Sequence, residues 1–197
     1  SGTRSDAAAI TVLPRLDVAT TSKIVTPGTP RIGQVLQFTV TTQNLGPDDV
    51  ASAGQFRIVD DLNTSLAGAD VAFADISASG AGMACAVAGA ALPDEAPLAA
   101  GHLRVRCSNT TPVPRYSVRT ITISARVQQP ATLPAAGDVY SAQVNSARVD
   151  IPDTLCEWKD GDSSACNDAG SRVNNVASAT FSVALPRFDL QQVIDHV

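Results

Sequence analysis

The sequence has little of what enzyme active sites and metal centres usually need. It contains only two histidines in 197 residues, His102 and His196, and neither lies beside a cysteine. It has no G-x-S-x-G turn, no glycine-rich loop leading from a strand into a helix, and no CxxC pair. A zinc site, a papain-like centre and a serine hydrolase are all disfavoured. We therefore expect a protein that is not an enzyme and that needs no metal or cofactor.

Long apolar runs and blocks of like charge are also missing. No stretch reaches the ~18 consecutive apolar residues of a membrane helix, and no positively charged, apolar leader is present. The net charge of −5 comes from 14 basic and 19 acidic residues that are spread along the chain. This pattern argues against nucleic acid as a partner and against membrane insertion. Ser1-Gly2 resembles a tag remnant, so we interpret the chain as a fragment of a longer protein, with any signal or anchor outside it.

Four cysteines are present, and their placement favours two disulfides. The simplest pairing joins Cys85 to Cys107 and Cys156 to Cys166, because the second bond would close a loop, CEWKDGDSSAC, that is too polar to be held by packing. The alternative is four free thiols in a reducing compartment, which we consider less favoured. Two disulfides would place the protein in an oxidising compartment.

Segments of alternating apolar and polar residues recur between turn signals, and nothing indicates a helix. In GQVLQFTVTTQN the residues Leu36, Phe38 and Val40 share one face, and SVRTITISARV has the same pattern. The other segments of this kind are GQFRIVDDL, HLRVRC, DVYSAQVNSARV and RVNNVASATFSV. The pattern predicts an all-β fold: an immunoglobulin-like antiparallel β-sandwich of seven or more strands. The Ala-rich span 67–100 is less regular, and a short strand with a long loop would fit it.

A short segment recurs at the two ends of the chain. LPRLDV at 13–18 returns as LPRFDL at 185–190, each time after an alternating run. We interpret residues 13–184 as one immunoglobulin-like repeat, residues 1–12 as a tag remnant with the end of a preceding repeat, and residues 185–197 as the start of the next repeat or a linker. Neighbouring repeats of the same chain would then be the first partners of the module.

Four segments together resemble the bacterial surface-repeat family catalogued as domain of unknown function eleven. They are LDVATTSKIVTP, IGQVLQFTVTTQNLGPDDV, FRIVDDL and SRVNNVASATFSV. The resemblance implies an immunoglobulin-like module repeated in tandem in secreted or cell-surface proteins of bacteria, outside the cell or in the periplasm, often in stalks or adhesins. Two positions depart from the family pattern. Asn63 stands where the family has proline, and Lys23 follows Asp17 by one residue more than usual.

Three residues of this pattern are candidates for a covalent cross-link. Asp60 shares a strand face with Phe56, Ile58 and Leu62, and a buried carboxylate needs a partner or a proton. Lys23 in the first strand and Asn175 before the last strand would meet it if these strands pair, with Asn174 as the alternative. This set resembles the triads of self-formed isopeptide bonds in bacterial adhesins and pili, in which an acid assists attack of a lysine on an asparagine.

Each member of this set also has a plainer interpretation. Lys23 has the opposite strand parity to Leu16 and Val18, so it would reach the core only if a bulge lies within ATTS, and otherwise it would extend to solvent. Asp60 could cap a turn, and the two asparagines could be turn residues. A non-covalent Lys-Asp pair with a hydrogen-bonded Asn is the nearest alternative to a covalent bond.

The polar loop between the last two cysteines suggests a second function. The loop 156–166 could act as an adhesive surface for a host or cell-surface ligand, and Trp158 could be its anchor or could fold back over the disulfide. The stretch 160–168 offers oxygen ligands for calcium without the spacing of an EF-hand, so a solvated acidic loop is favoured. The first hypothesis remains a structural spacer or stalk module of a tandem-repeat surface protein, with the adhesive module as the alternative.

Overall fold

Strands make up nearly all the regular structure of the residues that the computed structural model describes. These residues are 14–65, 71–88, 91–93, 95–129, 139–158 and 172–185. The strands are β1 Arg15–Leu16, β2 Val18–Thr26, β3 Val35–Asn44, β4 Arg57–Asn63, β5 Phe73–Gly80, β6 Met83–Ala88, β7 His102–Asn109, β8 Val118–Val127, β9 Val139–Asp150, β10 Cys156–Glu157 and β11 Val176–Ala184. A single 3₁₀ turn, Val173–Asn175, precedes β11 within these ranges. All six segments with strict alternation form strands, as predicted.

The strands form two antiparallel sheets with a shared core. One sheet has the order β2-β3-β8-β5, and the other has the order β11-β9-β4-β7-β6. The first order matches strands A-B-E-D of an immunoglobulin domain, and β11-β9-β4 matches G-F-C with two strands added at its edge. A short parallel pair, β1 with β10, lies outside both sheets. The predicted immunoglobulin-like antiparallel β-sandwich is confirmed.

Aromatic and aliphatic side chains of both sheets fill the core. Phe38 from β3, Phe73 from β5 and Phe181 from β11 meet in one cluster, with ring centroids 5.9–6.0 Å apart. Two of the three contacts are edge-to-face, the arrangement that ring quadrupoles favour. The cluster forms an apolar wall between the sheets, and the candidate site described below lies against it.

The Ala-rich span holds two strands rather than one short strand and a loop. β5 lies at the edge of the four-stranded sheet, and β6 lies at the edge of the five-stranded sheet. The loop after β6 is held by Glu95, whose buried carboxylate accepts hydrogen bonds from Arg104 at 3.0 Å and from Arg106. Small residues give these edge strands little contrast in hydropathy between their two faces. For this reason the sequence pattern predicted one short strand where the structure has two.

The first predicted disulfide is confirmed. Cys85 and Cys107 lie directly opposite each other on β6 and β7, and their sulfurs are bonded at 2.05 Å. The bond ties the edge strand of the five-stranded sheet to its neighbour. Cys156 is buried at the start of β10, but its predicted partner Cys166 lies outside the described residues, so the second pair stays a prediction.

Other sequence-based predictions also concern residues that the structure does not describe. These are the 160–168 loop, residues 1–12 and the segment after Leu185, so calcium binding and the division into repeats stay predictions. No helix in the described ranges is long and apolar enough to cross a membrane.

Gly46 provides a test of how the loop after β3 packs on the start of β2. A Cβ at Gly46 would lie 2.5 Å from the backbone nitrogen of Asp17 and 2.9 Å from Cα of Leu16. We predict that Gly46→Ala lowers the free energy of unfolding by roughly 1–3 kcal/mol, because backbone atoms cannot move aside as a flexible side chain can. Gly28→Ala is the control, since a Cβ there would have no atom within 4 Å. Equal denaturation midpoints for the two variants would contradict the close approach of Gly46 to the backbone of Leu16 and Asp17.

Candidate functional site

Lys23 points into the core because β2 contains a bulge. The pairing of β2 with β3 shifts by one residue between Thr20 and Ser22, which leaves Thr21 as the extra residue. After the bulge the strand faces are exchanged: Lys23 is 7% exposed, whereas Ile24 is 59% exposed. The bulge lies within ATTS, where the sequence required one.

Asp60 lies on the inner face of β4, as the alternation predicted. Its neighbours on that face, Ile58 and Leu62, are fully buried, and the Asp60 side chain has no exposed surface. Its Oδ2 accepts a hydrogen bond from Nζ of Lys23, across the space between the two sheets. The ammonium of one sheet and the carboxylate of the other therefore meet inside the core.

Asn145 of β9 completes the group. Its Oδ1 accepts a hydrogen bond from Lys23 Nζ, and its Nδ2 donates to Oδ1 of Asp60 at 3.0 Å. Each of the three side chains is thus hydrogen-bonded to the other two. We call this set the Lys23–Asp60–Asn145 triad.

The surroundings of the triad are apolar and shift both titrating groups toward their neutral forms. The ring centroid of Phe38 lies 4.7 Å from Lys23 Nζ. Burial lowers the pKa of Lys23, and the nearby Asp60 carboxylate only partly opposes this. Burial likewise raises the pKa of Asp60, against the opposing effects of Lys23 and of the Asn145 hydrogen bond. A neutral amine beside a protonated acid is therefore more accessible here than at the protein surface.

Asn175 belongs to a different group, and this corrects the sequence-based choice of cross-link partner. It is buried, as predicted, but its Nδ2 donates to Glu157 Oε1 at 2.9 Å and its backbone carbonyl oxygen accepts from Thr20 Oγ1 at 2.5 Å. The alternative, Asn174, donates to Asp17 Oδ1 at 3.1 Å.

The physical reason is the position of β11. The first and last long strands lie in different sheets, and the 3₁₀ turn holds Asn175 level with Thr20 instead of Lys23. The residue of β11 that pairs with Asn145 is Ala179, four positions further along.

The Asn175 group is a second buried polar cluster near the start of the sandwich. The Glu157 side chain is fully buried, and its Oε2 lies 3.3 Å from Nε of Arg172. Burial raises the pKa of Glu157 to about 7, although Asn175 and Arg172 favour the charged form. Trp158 follows directly on β10, with its ring 5.5 Å from the guanidinium carbon of Arg15. The cluster connects β10 with the beginning of β2 and with the 3₁₀ turn.

Strand parity could have identified Asn145 as a second inward-facing asparagine beside Asn175. It shares its face of β9 with Ala147 and Val149, both 1% exposed, so an asparagine two residues before them faces inward. The alternation of DVYSAQVNSARV predicts a strand, and the same alternation places one polar residue, Asn145, on the inner face of that strand. The structure therefore brings Lys23 and Asp60 together, supplies Asn145 as their third member, and leaves Asn175 outside the triad.

The triad has the elements of an acyl-transfer site. Lys23 Nζ is a potential nucleophile, and it contacts the side-chain amide that it would attack. Asp60 contacts the nucleophile through Oδ2 and the amide nitrogen through Oδ1. It is thus placed to take a proton from one nitrogen and give it to the other.

Comparisons with known proteins give likenesses of fold only. No family model matches the chain, and no curated protein matches it, so the resemblance to the surface-repeat family stays a prediction. Among solved structures, AvmM, which catalyses macrocyclization in alchivemycin A biosynthesis, is 15% identical over 89% of this chain and 92% of its own, with a TM-score of 0.40.

Two further solved structures have the same low level of similarity. A cohesin module from a Clostridium perfringens family 33 glycoside hydrolase is 8% identical over 89% of this chain and all of its own, with a TM-score of 0.42. The Corynebacterium diphtheriae major pilin SpaA, whose structure points to a modular pilus assembly stabilizing isopeptide bonds, is 9% identical over 82% of this chain and 37% of its own, with a TM-score of 0.39. These scores do not decide what this chain does, and that question rests on its own residues.

Proposed function

We propose that the chain is a structural module of a bacterial cell-surface or secreted protein, and that an amide bond between Lys23 and Asn145 joins its two sheets. The observation that carries this proposal is the closed set of hydrogen bonds among Lys23, Asp60 and Asn145 in a dry core. The module acts once on itself and does not turn over a substrate.

The reaction needs only the three side chains. Proton transfer from Lys23 to Asp60 gives a neutral amine and a carboxylic acid, the pair that burial favours. Nζ attacks Cγ of Asn145, and negative charge develops on Oδ1 of the amide. Asp60 then carries a proton from Nζ to Nδ2, the Cγ–Nδ2 bond breaks, and ammonia leaves. An amide between Nζ and Cγ remains, and Asp60 is left as the carboxylic acid, holding the proton that it first took from Lys23.

Packing supplies most of the acceleration. The amine and the amide are held in contact by strands of two sheets, so no entropy is lost in bringing them together at the moment of reaction. The Phe38 ring and the absence of exposed surface on the side chains of Lys23 and Asp60 keep water away from the amine. These features also explain why the reaction would follow folding and would not occur in the unfolded chain.

The bond would give the module mechanical and proteolytic resistance. Lys23 and Asn145 are 122 residues apart in the chain, and a cross-link closing a loop of this length stabilises the folded state by about 5 kcal/mol through the reduced entropy of the unfolded chain. Tension applied to the two ends would pass from β2 through the bond into β9. The 24–144 segment, which includes most strands of both sheets, would be shielded from that tension.

The disulfide supports a location outside the reducing cytoplasm. Cys85 and Cys107 are bonded across β6 and β7, and such bonds persist in secreted and cell-surface proteins. A spacer that is stiff, disulfide-bonded and internally cross-linked suits a stalk. The alternative adhesive function would depend on the 156–166 loop, of which the structure describes only Cys156, Glu157 and Trp158.

The first test is the mass of the intact, reduced protein. We predict a deficit of one ammonia in the folded wild-type chain, abolished in Asn145→Ala and retained in Asn175→Ala, because only Asn145 contacts Lys23. The chain has only two lysines, Lys23 and Lys159, so amine labelling after denaturation should mark the N-terminus and one lysine. Full mass in the wild type, or loss of the deficit in Asn175→Ala, would overturn the assignment.

The second test concerns the acid. We predict that Asp60→Asn, which preserves the shape of the side chain, folds but keeps its full mass, because no group remains to move protons between Nζ and Nδ2. Circular dichroism checks that the variant is folded, and Asp61→Asn is the matched control, since Asp61 pairs with Arg104 at the other face of β4. A folded Asp60→Asn protein that still joins Lys23 to Asn145 would show that Asp60 is not the proton carrier.

A further inference from the structure

The five-stranded sheet opens beside Asn145. Backbone pairing of β4 with β9 runs from Arg57–Asp150 to Asp60–Ala147 and stops there. Beyond that point β4 continues along β7 as far as Asn63, while β9 continues along β11. The two strands therefore separate at the triad, and a cleft of about 200 Å³ lies between them.

Asn145 is the member of the triad that reaches this cleft. Its lining includes Asp61, His102, Ala142, Gln143, Val144 and Asn145. The side chains of Lys23 and Asp60 have no exposed surface and are not part of the lining. Asn145 thus makes hydrogen bonds to Lys23 and Asp60 within the core through its side-chain amide, and the same residue lines a space that opens outward.

The polar groups of the cleft suit a small donor of hydrogen bonds. Asp61 contributes a carboxylate that is 26% exposed, and Gln143 Oε1 already accepts a hydrogen bond from the backbone nitrogen of Val71 at 3.2 Å. His102 Nδ1 is buried, and within the described residues no hydrogen-bond partner is found for it. A molecule of ammonia or ammonium moving through the cleft would meet acceptors on both walls.

We propose that this cleft is the path by which ammonia leaves when Lys23 bonds to Asn145. The inference rests on the proposed cross-link and adds the route of its leaving group. When the bond from Nζ to Cγ forms and the Cγ–Nδ2 bond breaks, the nitrogen that departs is the one on the residue bordering the cleft. Its exit separates it from the new amide, so the reverse attack on Cγ stops.

The packing explains why the leaving group would take this direction. On the core side the triad lies against the ring of Phe38 and the close-packed side chains around it. The cleft shares two rings, Phe73 and Phe181, with the same aromatic cluster, so an apolar base lies beneath its polar walls. A leaving group the size of a water molecule fits a space of this volume.

The experiment narrows the mouth of the cleft without touching the triad. Val144 is 66% exposed and Ala142 is also exposed, and both line the cleft, so Val144→Trp and Ala142→Trp place an indole at its mouth. Ala51→Trp, at an exposed position elsewhere, is the matched control. Each protein is refolded from denaturant and quenched in acid at intervals, and its mass is recorded, with folding followed by circular dichroism.

We expect the two cleft variants to lose ammonia several-fold more slowly than the wild type and the control, with unchanged folding rates. Equal rates of ammonia loss in all four proteins would overturn the exit path and leave the cross-link intact. Full mass in the wild type would overturn the proposed function itself, so the two failures are distinguishable.

A second measurement tests whether solvent reaches position 145 through the cleft, without following the rate of the cross-linking reaction. In Asn145→Cys a thiol replaces the amide, and peptide mapping follows its modification by a small alkylating reagent. We expect the introduced thiol to react in the folded protein and Val144→Trp, added to the same chain, to slow that reaction several-fold. A thiol that reacts only as fast as the protein unfolds would show that the cleft does not connect position 145 with solvent, and the exit path would be refuted.

Discussion

The structure depends on how an ammonium group is accommodated in the core of a small β-sandwich. An isolated buried charge is too costly to keep, so Lys23 needs the Asp60 carboxylate and the Asn145 carbonyl oxygen, both of which it contacts. Because the desolvation of both groups is unfavourable, the neutral pair becomes accessible, and the neutral amine is the nucleophile. The same burial that disfavours the charged lysine favours the neutral amine that the proposed cross-link requires.

Several local features follow from this requirement. The bulge at Thr21 exchanges the faces of β2, so that Lys23 turns inward and Ile24 turns outward. Ala179, opposite Asn145 on β11, is small and leaves the asparagine room. The separation of β4 from β9 begins at Asp60, next to the reacting groups. An irregularity in a sheet is costly in hydrogen bonds. The bulge in β2 and the separation of β4 from β9 lie at the site, and two further register shifts lie in β5 and β11.

Much of the fold and two-thirds of the triad could be predicted from the sequence. Period-two alternation identified six strands, placed Asp60 inside, and showed that Lys23 required a bulge in ATTS. The third residue could not be chosen in the same way, because Asn175 and Asn145 are both buried asparagines and parity does not reveal which strand lies opposite Lys23. That choice depends on sheet order, which pairs β11 with β9 in the sheet that faces β2, and on the 3₁₀ turn that holds Asn175 beside Glu157.

The proposed covalent bond crosses the core between the two sheets, and tandem mass spectrometry of a proteolytic digest of the reduced, folded protein would detect it directly. We expect a branched peptide in which fragment ions locate the branch at Lys23 and Asn145. Two separate linear peptides, one with a free Lys23 amine and the other with an intact Asn145 amide, would contradict it.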